Sequence, residues 1–273
     1  MDANETARGH PGEGARTLGA MGRRLMGWYG ILGFLALWQL APLLGLCDRR
    51  FIPPPSEIGA EALVLMGRGE LFVHAATSAQ RALLGLAAAV ALALPLAALM
   101  SGFLPRLTRF LAPLVALLSG INPFALFPLF ILLFGVGEKA KFAIIFWSSL
   151  FPILGAAING IAGCDPLLLK AARSMGAKRA VVFLKVSVPA ALPSIMVGLR
   201  LGATTAFLFL IAAEMLAANT GLGWLVHNSA MNNYIPRLYV GAVSIAAMGL
   251  ALAFLIDRLE GFLLDYKEEV RAS

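Results

Sequence analysis

The sequence has little charge for its length. Of its 273 residues only 14% are Asp, Glu, Lys or Arg, whereas 59% are hydrophobic; a soluble domain usually carries about 25% charged residues. So few charges cannot cover the surface of a soluble enzyme or a nucleic-acid module, and a chain this apolar is not expected to be disordered. The composition therefore indicates a membrane protein, and the net charge of +7 must first be interpreted against a bilayer.

Residues that bind metals or form disulfides are also scarce. Cys47 and Cys164 are the only cysteines, and the three histidines are scattered along the chain. Because no Cys/His cluster is present, neither a metal nor a cofactor is expected. The topology described below places the two cysteines on opposite sides of the membrane, which excludes a disulfide between them.

Nucleotide-binding and hydrolytic motifs are missing from the sequence. No G-x-x-x-x-G-K-[ST] segment could cradle phosphates, and neither G-x-S-x-G nor H-E-x-x-H is found. The chain is therefore expected to have no enzymatic activity of its own. If ATP drives its function, hydrolysis must take place on another polypeptide.

The sequence does contain a series of long hydrophobic runs. About 20 apolar residues in a helix cross the hydrocarbon core of a bilayer. The runs are continuous rather than alternating, which favours helices over a β-barrel. We therefore predict an all-α polytopic membrane protein with six transmembrane helices. The predicted spans are residues 26–47, 82–100, 110–134, 142–164, 190–218 and 238–256.

The positive charges predict the orientation of the chain. With the N-terminus inside, the inner segments hold more than twice as many Lys and Arg residues as the outer segments, in agreement with the positive-inside rule. Both termini are then cytoplasmic, and no nucleic-acid partner is needed to explain the charge. The predicted organisation is a mobile tail (1–25), a six-span domain (26–257) with an inner loop at 165–190, and a second cytoplasmic tail (258–273).

Two ionisable residues lie within the fifth predicted span. Such groups usually face the interior of a helix bundle, because they are costly at mid-membrane. Arg200 and Glu214 are 14 residues apart, roughly 21 Å along a helix, so they cannot pair with each other. Glu214 could pair with Lys139 or Arg237, and Arg200 could reach the inner surface by extending its side chain. Both remain candidates for gating or for the translocation path.

Asn122 and Pro123 lie in the middle of the third predicted span. Proline frees backbone carbonyls, which a membrane helix tolerates where it lines protein or a water-filled cavity. The amide of Asn122 could line such a cavity, or it could form an interhelical hydrogen bond. Both residues are therefore candidates for the translocation path.

The longest inner loop has the pattern of a short amphipathic helix. Asp165 can cap this helix, Pro166 suits its first turn, and Gly176 can end it. Small and apolar residues recur on one face, namely Leu168, Ala171, Ala172 and Met175. Such a helix could rest on lipid headgroups, drawn by its cations, or it could dock on a cytoplasmic partner.

This loop resembles the EAA loop of ABC-importer permeases. The family pattern reads E-A-A, three residues, Gly, nine residues and I-x-L-P. Here Lys170-Ala171-Ala172 is followed at the same spacing by Gly176 and by VSVP at residues 186–189. Lys170 in place of Glu, and valines in place of Ile and Leu, depart from the pattern. The resemblance extends over residues 50–260, where segments such as INPFALFPLFILLFGVGEKAK and AAEMLAANTGLGWLV resemble the nitrate/sulfonate/taurine-type subfamily.

The resemblance implies a permease subunit of an ABC importer in a bacterial inner membrane. In that family two permease subunits, here expected to be a homodimer, form the translocation path. Separate ATPase subunits bind on the cytoplasmic side, and a periplasmic or surface solute-binding protein delivers the solute. The implied solute is a small anion such as a sulfonate, taurine or nitrate. The residues that would couple the permease to the ATPase are Lys170, Ala171, Ala172, Gly176 and Pro189.

Other classes of membrane protein fit the sequence less well. An ion-coupled secondary transporter would need intramembrane acidic or histidine groups, and Glu214, near the end of its span, is the candidate available. A membrane enzyme would need catalytic groups clustered at one interface. A non-catalytic membrane anchor would have no need for proline breaks in several spans.

Overall fold

The computed structural model of the protein describes residues 29–30, 32–103 and 105–264, and every regular element within them is helical, as predicted. The helices are α1 (Leu32–Leu43), α2 (Pro55–Gly67), α3 (Glu70–Ala97), α4 (Pro105–Ser119), α5 (Pro123–Phe134), α6 (Glu138–Ala162), α7 (Pro166–Ser174), α8 (Arg179–Val182), α9 (Val188–Ala217), α10 (Leu222–Met231) and α11 (Ile235–Leu264). A π-helical turn, Ala98–Phe103, extends α3, and a second, Phe183–Ser187, joins α8 to α9. The predicted tail at residues 1–25 and the last residues of the second tail, 265–273, lie outside the described residues.

The chain divides into two compact units, one ending at Glu61 and the other beginning at Ala62. Within the first unit, Gln39 and Ser56 exchange two hydrogen bonds. Gln39 Nε2 donates to Ser56 Oγ at 2.9 Å, and Ser56 N donates to Gln39 Oε1 at 3.1 Å. The candidate site residues all belong to the second unit.

Four helical segments of the described chain are long and apolar enough to cross a membrane. They are Glu70–Phe103, Glu138–Ala162, Arg179–Ala217 and Ile235–Leu264, and the bent pair α4–α5 would raise the number to five. The predicted number of six is therefore not reproduced within the described residues. The first predicted span begins outside them, and its described part contains only the shorter helix α1. α11 continues beyond residue 257, where the second tail was predicted to begin.

The third predicted span, residues 110–134, is wrong as a single helix. α4 and α5 meet at an angle of 92°. Pro123 has no N–H and disfavours the helical conformation in the residue before it. Asn122 is accordingly extended, with φ −64° and ψ 120°, and its Oδ1 accepts a hydrogen bond from Phe124 N at 2.9 Å. The Asn-Pro pair thus begins a new helix with a side-chain cap.

α6 lies at the centre of the second unit and packs along α3 and α9. The contact with α9 is close because that helix presents glycines. A Cβ on Gly198 would lie 2.4 Å from Ala156 Cβ, and one on Gly202 would lie 2.7 Å from Ile153 Cγ1. Small residues let membrane helices approach and gain van der Waals contact. This packing fixes three helices together and leaves two polar regions at opposite ends of α9.

Candidate functional site

Glu214, near the end of α9, is completely buried and accepts hydrogen bonds from two other elements. Its carboxylate accepts from Ser78 Oγ at 2.8 Å, from Arg81 Nη1 at 2.8 Å and from Gly223 N at 2.9 Å. A carboxylate is tolerated in the interior only when it is paired and hydrogen-bonded, and both conditions are met here. The ion-pair partner is Arg81 on α3, which corrects the suggestion from the sequence of Lys139 or Arg237.

Arg81 links this carboxylate to α6. Its Nε and Nη2 each donate to one oxygen of Glu138 at 2.6 Å, the two-pronged geometry that guanidinium groups favour with carboxylates. Lys141, which is also buried, donates to Glu138 Oε1 at 2.7 Å. We call these four side chains, Arg81, Glu138, Lys141 and Glu214, the ion network. Two are positive and two negative, so the network is neutral.

The turn between α9 and α10 wraps around Glu214. Gly221 N donates to His74 Nδ1 at 3.1 Å, and Leu222 N donates to Ser78 Oγ at 2.8 Å. Gly221 has φ +121°, and a Cβ there would lie 2.3 Å from Glu214 Oε1. Glycine is therefore required at this position both for its backbone conformation and for the closeness of the carboxylate.

The charges of the ion network are paired with one another, which suits a structural role rather than a reactive centre. Each of its charges faces an opposite charge at hydrogen-bond distance. Across the part of the chain that the structure describes, no group of three or more His, Cys, Asp or Glu side chains could hold a metal ion. The network instead connects the interior of α3 to the start of α6 and the last turns of α9.

At the opposite end of α9, the loop after α6 forms the short helix predicted from its sequence. α7 begins at Pro166, and the preceding Asp165 caps it: its Oδ1 accepts a hydrogen bond from Leu167 N at 2.8 Å. An N-cap of this kind satisfies a backbone N–H that has no partner within the helix. The predicted start of the helix is therefore confirmed.

The predicted end of α7 at Gly176 is confirmed as well. Gly176 has φ +78°, its N–H donates to Arg173 O at 2.9 Å, and Ala177 N donates to Ala172 O at 3.1 Å. This pair of bonds is the Schellman motif, in which glycine is favoured because other residues rarely adopt positive φ. The motif turns the chain sharply out of α7.

Most of the apolar face of α7 is exposed. Leu168 is 52% exposed and Met175 is 82% exposed, and Lys170 and Ala171 are also exposed. Ala172 is buried instead, with 7% exposure. Four of the predicted coupling residues therefore lie together on or directly after this helix, but Ala172 serves packing within the chain.

The turn after α7 leads into one continuous helical segment. It runs from Arg179 to Ala217 through α8, the π-helical turn and α9, about 58 Å at 1.5 Å per residue. Pro189, the fifth predicted coupling residue, lies in the first turn of α9 and does not begin a separate segment. Phe183 in the π-helical turn is buried and packs on Gly102, where a Cβ would lie 2.4 Å from its ring. The turn after α7 is therefore joined by one long helical segment to the end of α9 that holds Glu214.

Arg200 lies on α9 between these two ends. Its Nη2 donates to Asp257 Oδ1 and to Glu260 Oε2, each at 2.6 Å, and all three side chains are partly or largely exposed. A cavity of about 270 Å³ beside it is lined by Arg200, Thr204, Phe207 and Asp257, among others. The arginine thus joins α9 to α11, a pairing that the sequence analysis did not identify.

Sequence reasoning missed most of the ion network. Arg81 stands at the edge of a long apolar run, and that isolation within α3 is a signal that it needs a buried partner. The signal for a buried Glu214 is the pair of glycines in the following turn, Gly221 and Gly223, seven and nine residues after it. The two halves lie 133 residues apart in the chain, and no local pattern connects them.

Comparison with known proteins matches this chain to transport systems. A family model described as binding-protein-dependent transport system inner membrane component matches residues 67–264. The taurine transport system permease protein TauC of Escherichia coli K12 is 31% identical over 242 residues, which cover 87% of this chain and 88% of TauC. The putative aliphatic sulfonates transport permease protein SsuC of the same organism is 38% identical over 207 residues, covering 76% and 78%.

A solved structure shares the fold. The MetNI methionine ABC transporter in an inward-facing conformation matches with a TM-score of 0.59 at 18% identity, covering 68% of this chain and 92% of the matched chain. At this identity the likeness concerns the fold alone.

Proposed function

We infer the function of this chain from its family: it belongs to the inner membrane components of binding-protein-dependent transport systems, the permease subunits of ABC importers. It is a transport subunit rather than an enzyme, and the ATPase of such a system is a separate subunit. A solute-binding protein is its other partner. What the chain must supply is a path through the membrane and a surface that receives motion from the ATPase.

We propose that α7 is this receiving surface. The observation that carries the proposal is the exposed apolar face of a well-capped helix: Leu168 and Met175 are more than half exposed although they are apolar, and Ala171 between them is small enough for another surface to approach. Exposed apolar groups on a rigid protrusion are typical of a protein interaction site. Lys170 lies beside them, so its charge would also be at the interface.

The connection behind α7 suits the transmission of movement. The Schellman turn at Gly176 fixes the angle between α7 and the following segment, and that segment is helical without interruption from Arg179. A rotation imposed on α7 would thus move the N-terminal end of α9, while the ion network holds the other end. Pro189 lies inside this continuous segment, shortly after the π-helical turn, and lacks the N–H that a residue inside a helix would donate.

The orientation and the pairing of subunits are parts of the same proposal. α7 is proposed to face the cytoplasm, together with both termini, as the distribution of Lys and Arg favours. A second copy of this chain is proposed to complete the path. Asn122 and Pro123, at the sharp break between α4 and α5, are proposed to line that path, because a break in helical backbone at membrane depth is tolerated against protein or water.

The transported solute is proposed to be a small organic sulfonate, because the names of two relatives refer to taurine and aliphatic sulfonates. Arg200 adds nothing to this argument, since its guanidinium is bound to two carboxylates. Melting of the cognate solute-binding protein with taurine, ethanesulfonate and nitrate tests the proposal, because a ligand raises the melting temperature of the protein that binds it. No shift with either sulfonate would contradict the proposed substrate.

The coupling role is tested by placing a charge on the exposed face of α7. Ala171→Asp should leave membrane insertion unchanged, because the side chain points away from the core. Sulfonate uptake into proteoliposomes with the cognate ATPase and binding protein should fall by more than about tenfold, because an unpaired carboxylate would be buried at the contact. Ala60→Asp, a matched change at an exposed position of α2, serves as the control. Equal uptake by the two variants would contradict the coupling role.

An ion-coupled carrier is a weaker alternative for a structural reason. Such a carrier needs an ionisable group that can exchange its ion with a cavity. Glu214 is completely buried, and Ser78, Arg81 and Gly223 all donate to its carboxylate. It is therefore placed to hold helices together.

A further inference from the structure

A cavity of about 200 Å³ lies between the π-helical turn at the end of α3, the helix α7 and the segment that begins with α8. Ser101, Arg173, Arg179, Phe183 and Ser187 are among the residues that line it. We call it the arginine cavity. It is distinct from the exposed apolar face of α7, and nothing in the coupling proposal uses it.

The charge of the arginine cavity is of one sign. Arg173 reaches it from the last turn of α7, and Arg179 reaches it from the first residue of α8. None of the described residues that line it is acidic. Two guanidinium groups at one small cavity repel each other unless an anion lies between them, so the arrangement favours an anionic ligand.

A buried hydroxyl group adds a second, independent indication. The Oγ of Ser101 is buried and has no hydrogen-bond partner within the part of the chain described here. A polar atom left in this state normally costs free energy unless water or a ligand satisfies it. Ser101 and the 7% exposed Ser187 both line the cavity, so two residues with hydroxyl groups lie beside the two arginines.

Arg179 is held in place by the backbone of the neighbouring element. Its Nη2 donates to the carbonyl oxygens of Gly102 and Phe103. Both bonds use the same nitrogen, so among the described residues the Nε and Nη1 donors are left for another acceptor. A guanidinium fixed in this way is ordered before the ligand binds, which reduces the entropy lost on binding.

We propose that the arginine cavity binds a phosphate group. Arginines with hydroxyl donors around them match the several oxygens of a phosphate better than the two oxygens of a carboxylate. The phosphate could belong to an anionic phospholipid or be free in solution. Basic pockets between membrane helices bind lipid headgroups, and the exposed side chains of Phe103 and Leu184 lie on the same elements, where acyl chains could contact them. A bound phosphate would join α7 to α3 and α8.

Binding is tested on the full chain purified in detergent. Native mass spectrometry measures its occupancy by phosphatidylglycerol and by phosphatidylcholine, and melting curves measure the effect of inorganic phosphate against acetate. Arg173→Gln with Arg179→Gln should lower phosphatidylglycerol occupancy by about tenfold or more, because two charge-assisted bonds are lost. The matched control is Lys178→Gln with Lys185→Gln, which removes the same charge from exposed positions of the same segment.

The outcomes separate the two sources of phosphate. If phosphatidylglycerol binding depends on the arginines and inorganic phosphate at about 10 mM does not displace the lipid, the site is a lipid site. If only inorganic phosphate stabilises the chain, and the effect depends on the arginines, the site binds free phosphate. Equal phosphatidylglycerol occupancy and equal phosphate shifts in the arginine and lysine variants would overturn the proposal, as would equal stabilisation by acetate. Should the double arginine variant fail to fold, Ser101→Ala, which keeps both charges, should still reduce binding several-fold; an unchanged affinity in this variant would count against the site.

Discussion

The two ends of α9 differ in whether their charged side chains are buried or exposed. At the Glu214 end a carboxylate, a guanidinium and an ammonium group are buried, and each is matched by an opposite charge. At the α7 end the cations are exposed, and so are Leu168 and Met175. A polar group is buried only where its partners are fixed, and an apolar group is left exposed at a contact surface that is covered by something else. The difference supports the proposal that one end keeps the helices together while the other end meets a partner.

The largest effect is expected from breaking the ion network. Glu214→Ala leaves the buried Arg81 without one of its two carboxylate partners, and the loss of one member of a buried ion pair typically costs about 3–5 kcal/mol. The melting temperature of the purified chain, followed by size-exclusion chromatography after heating, should fall strongly or no folded protein should be recovered.

A compensating variant sharpens this test. Arg81→Met combined with Glu214→Leu removes both charges and should recover part of the lost stability, because apolar residues can replace a buried pair. Glu260→Gln, which changes an acidic residue with a partly exposed side chain, is the control and should melt close to the original chain. If Glu214→Ala melts like Glu260→Gln, the network does not clamp the helices.

The next largest loss of stability is expected at Gly221, near the Glu214 end of α9, and it is compared with the loss at Gly176, near the α7 end. Gly221 and Gly176 both have positive φ, but a Cβ on Gly221 would meet Glu214 Oε1 at 2.3 Å, whereas a Cβ on Gly176 would meet nothing within 4 Å. Gly176→Ala should cost about 1–2 kcal/mol from backbone strain alone. Gly221→Ala should cost clearly more, since the carboxylate must also move. Equal losses of melting temperature in the two variants would show that the carboxylate has room to shift.

A smaller effect on stability, with a large effect on function, is expected at the α7 end. Gly176→Val should strain the Schellman turn by about 1–2 kcal/mol and change the direction in which α7 leaves the chain, so that sulfonate uptake with the cognate ATPase falls while the chain remains folded. Gly176→Asn is the matched control, because asparagine tolerates positive φ, and it should retain most of the uptake. Loss of uptake in both variants to the same degree would argue against a requirement for this turn.

The residues that could be predicted from the sequence are those whose structure depends on near neighbours. Asp165 caps α7 and Gly176 ends it, because the bonds that place them lie within five residues along the chain. The all-helical fold class could also be predicted, because it depends on apolar runs that are continuous in the sequence. The break at Asn122 was indicated by the Asn-Pro pair, but the apolar run on both sides suggested one span where the chain turns by 92°.

The tertiary pairs could not be predicted in this manner. Arg81 and Glu214 are 133 residues apart in the chain, and Arg200 and Asp257 are 57 apart. Each pair forms because α6 packs against both α3 and α9, or because α11 lies along α9, and the sequence alone does not specify which helices are neighbours. Some helices also extend beyond the predicted spans at their polar ends, because residues such as Glu70 and His74 lower the local hydropathy although α3 includes them.

The smallest effect is expected at Arg200, which lies between the two ends of α9. Its side chain is exposed, like the cations at the α7 end, but it is ion-paired, like the charges at the Glu214 end. Its side chain is 54% exposed, and its partner Asp257 is 58% exposed. Exposed ion pairs contribute about 0–1 kcal/mol, because water screens them and the side chains lose conformational freedom. Arg200→Gln should therefore shift the melting temperature only slightly, and the shift should disappear at high salt. Lys139→Gln, at another exposed position, is the control. A large loss of uptake in Arg200→Gln, with a melting temperature equal to that of the control, would instead place Arg200 on the translocation path, since α9–α11 contact alone would not account for it.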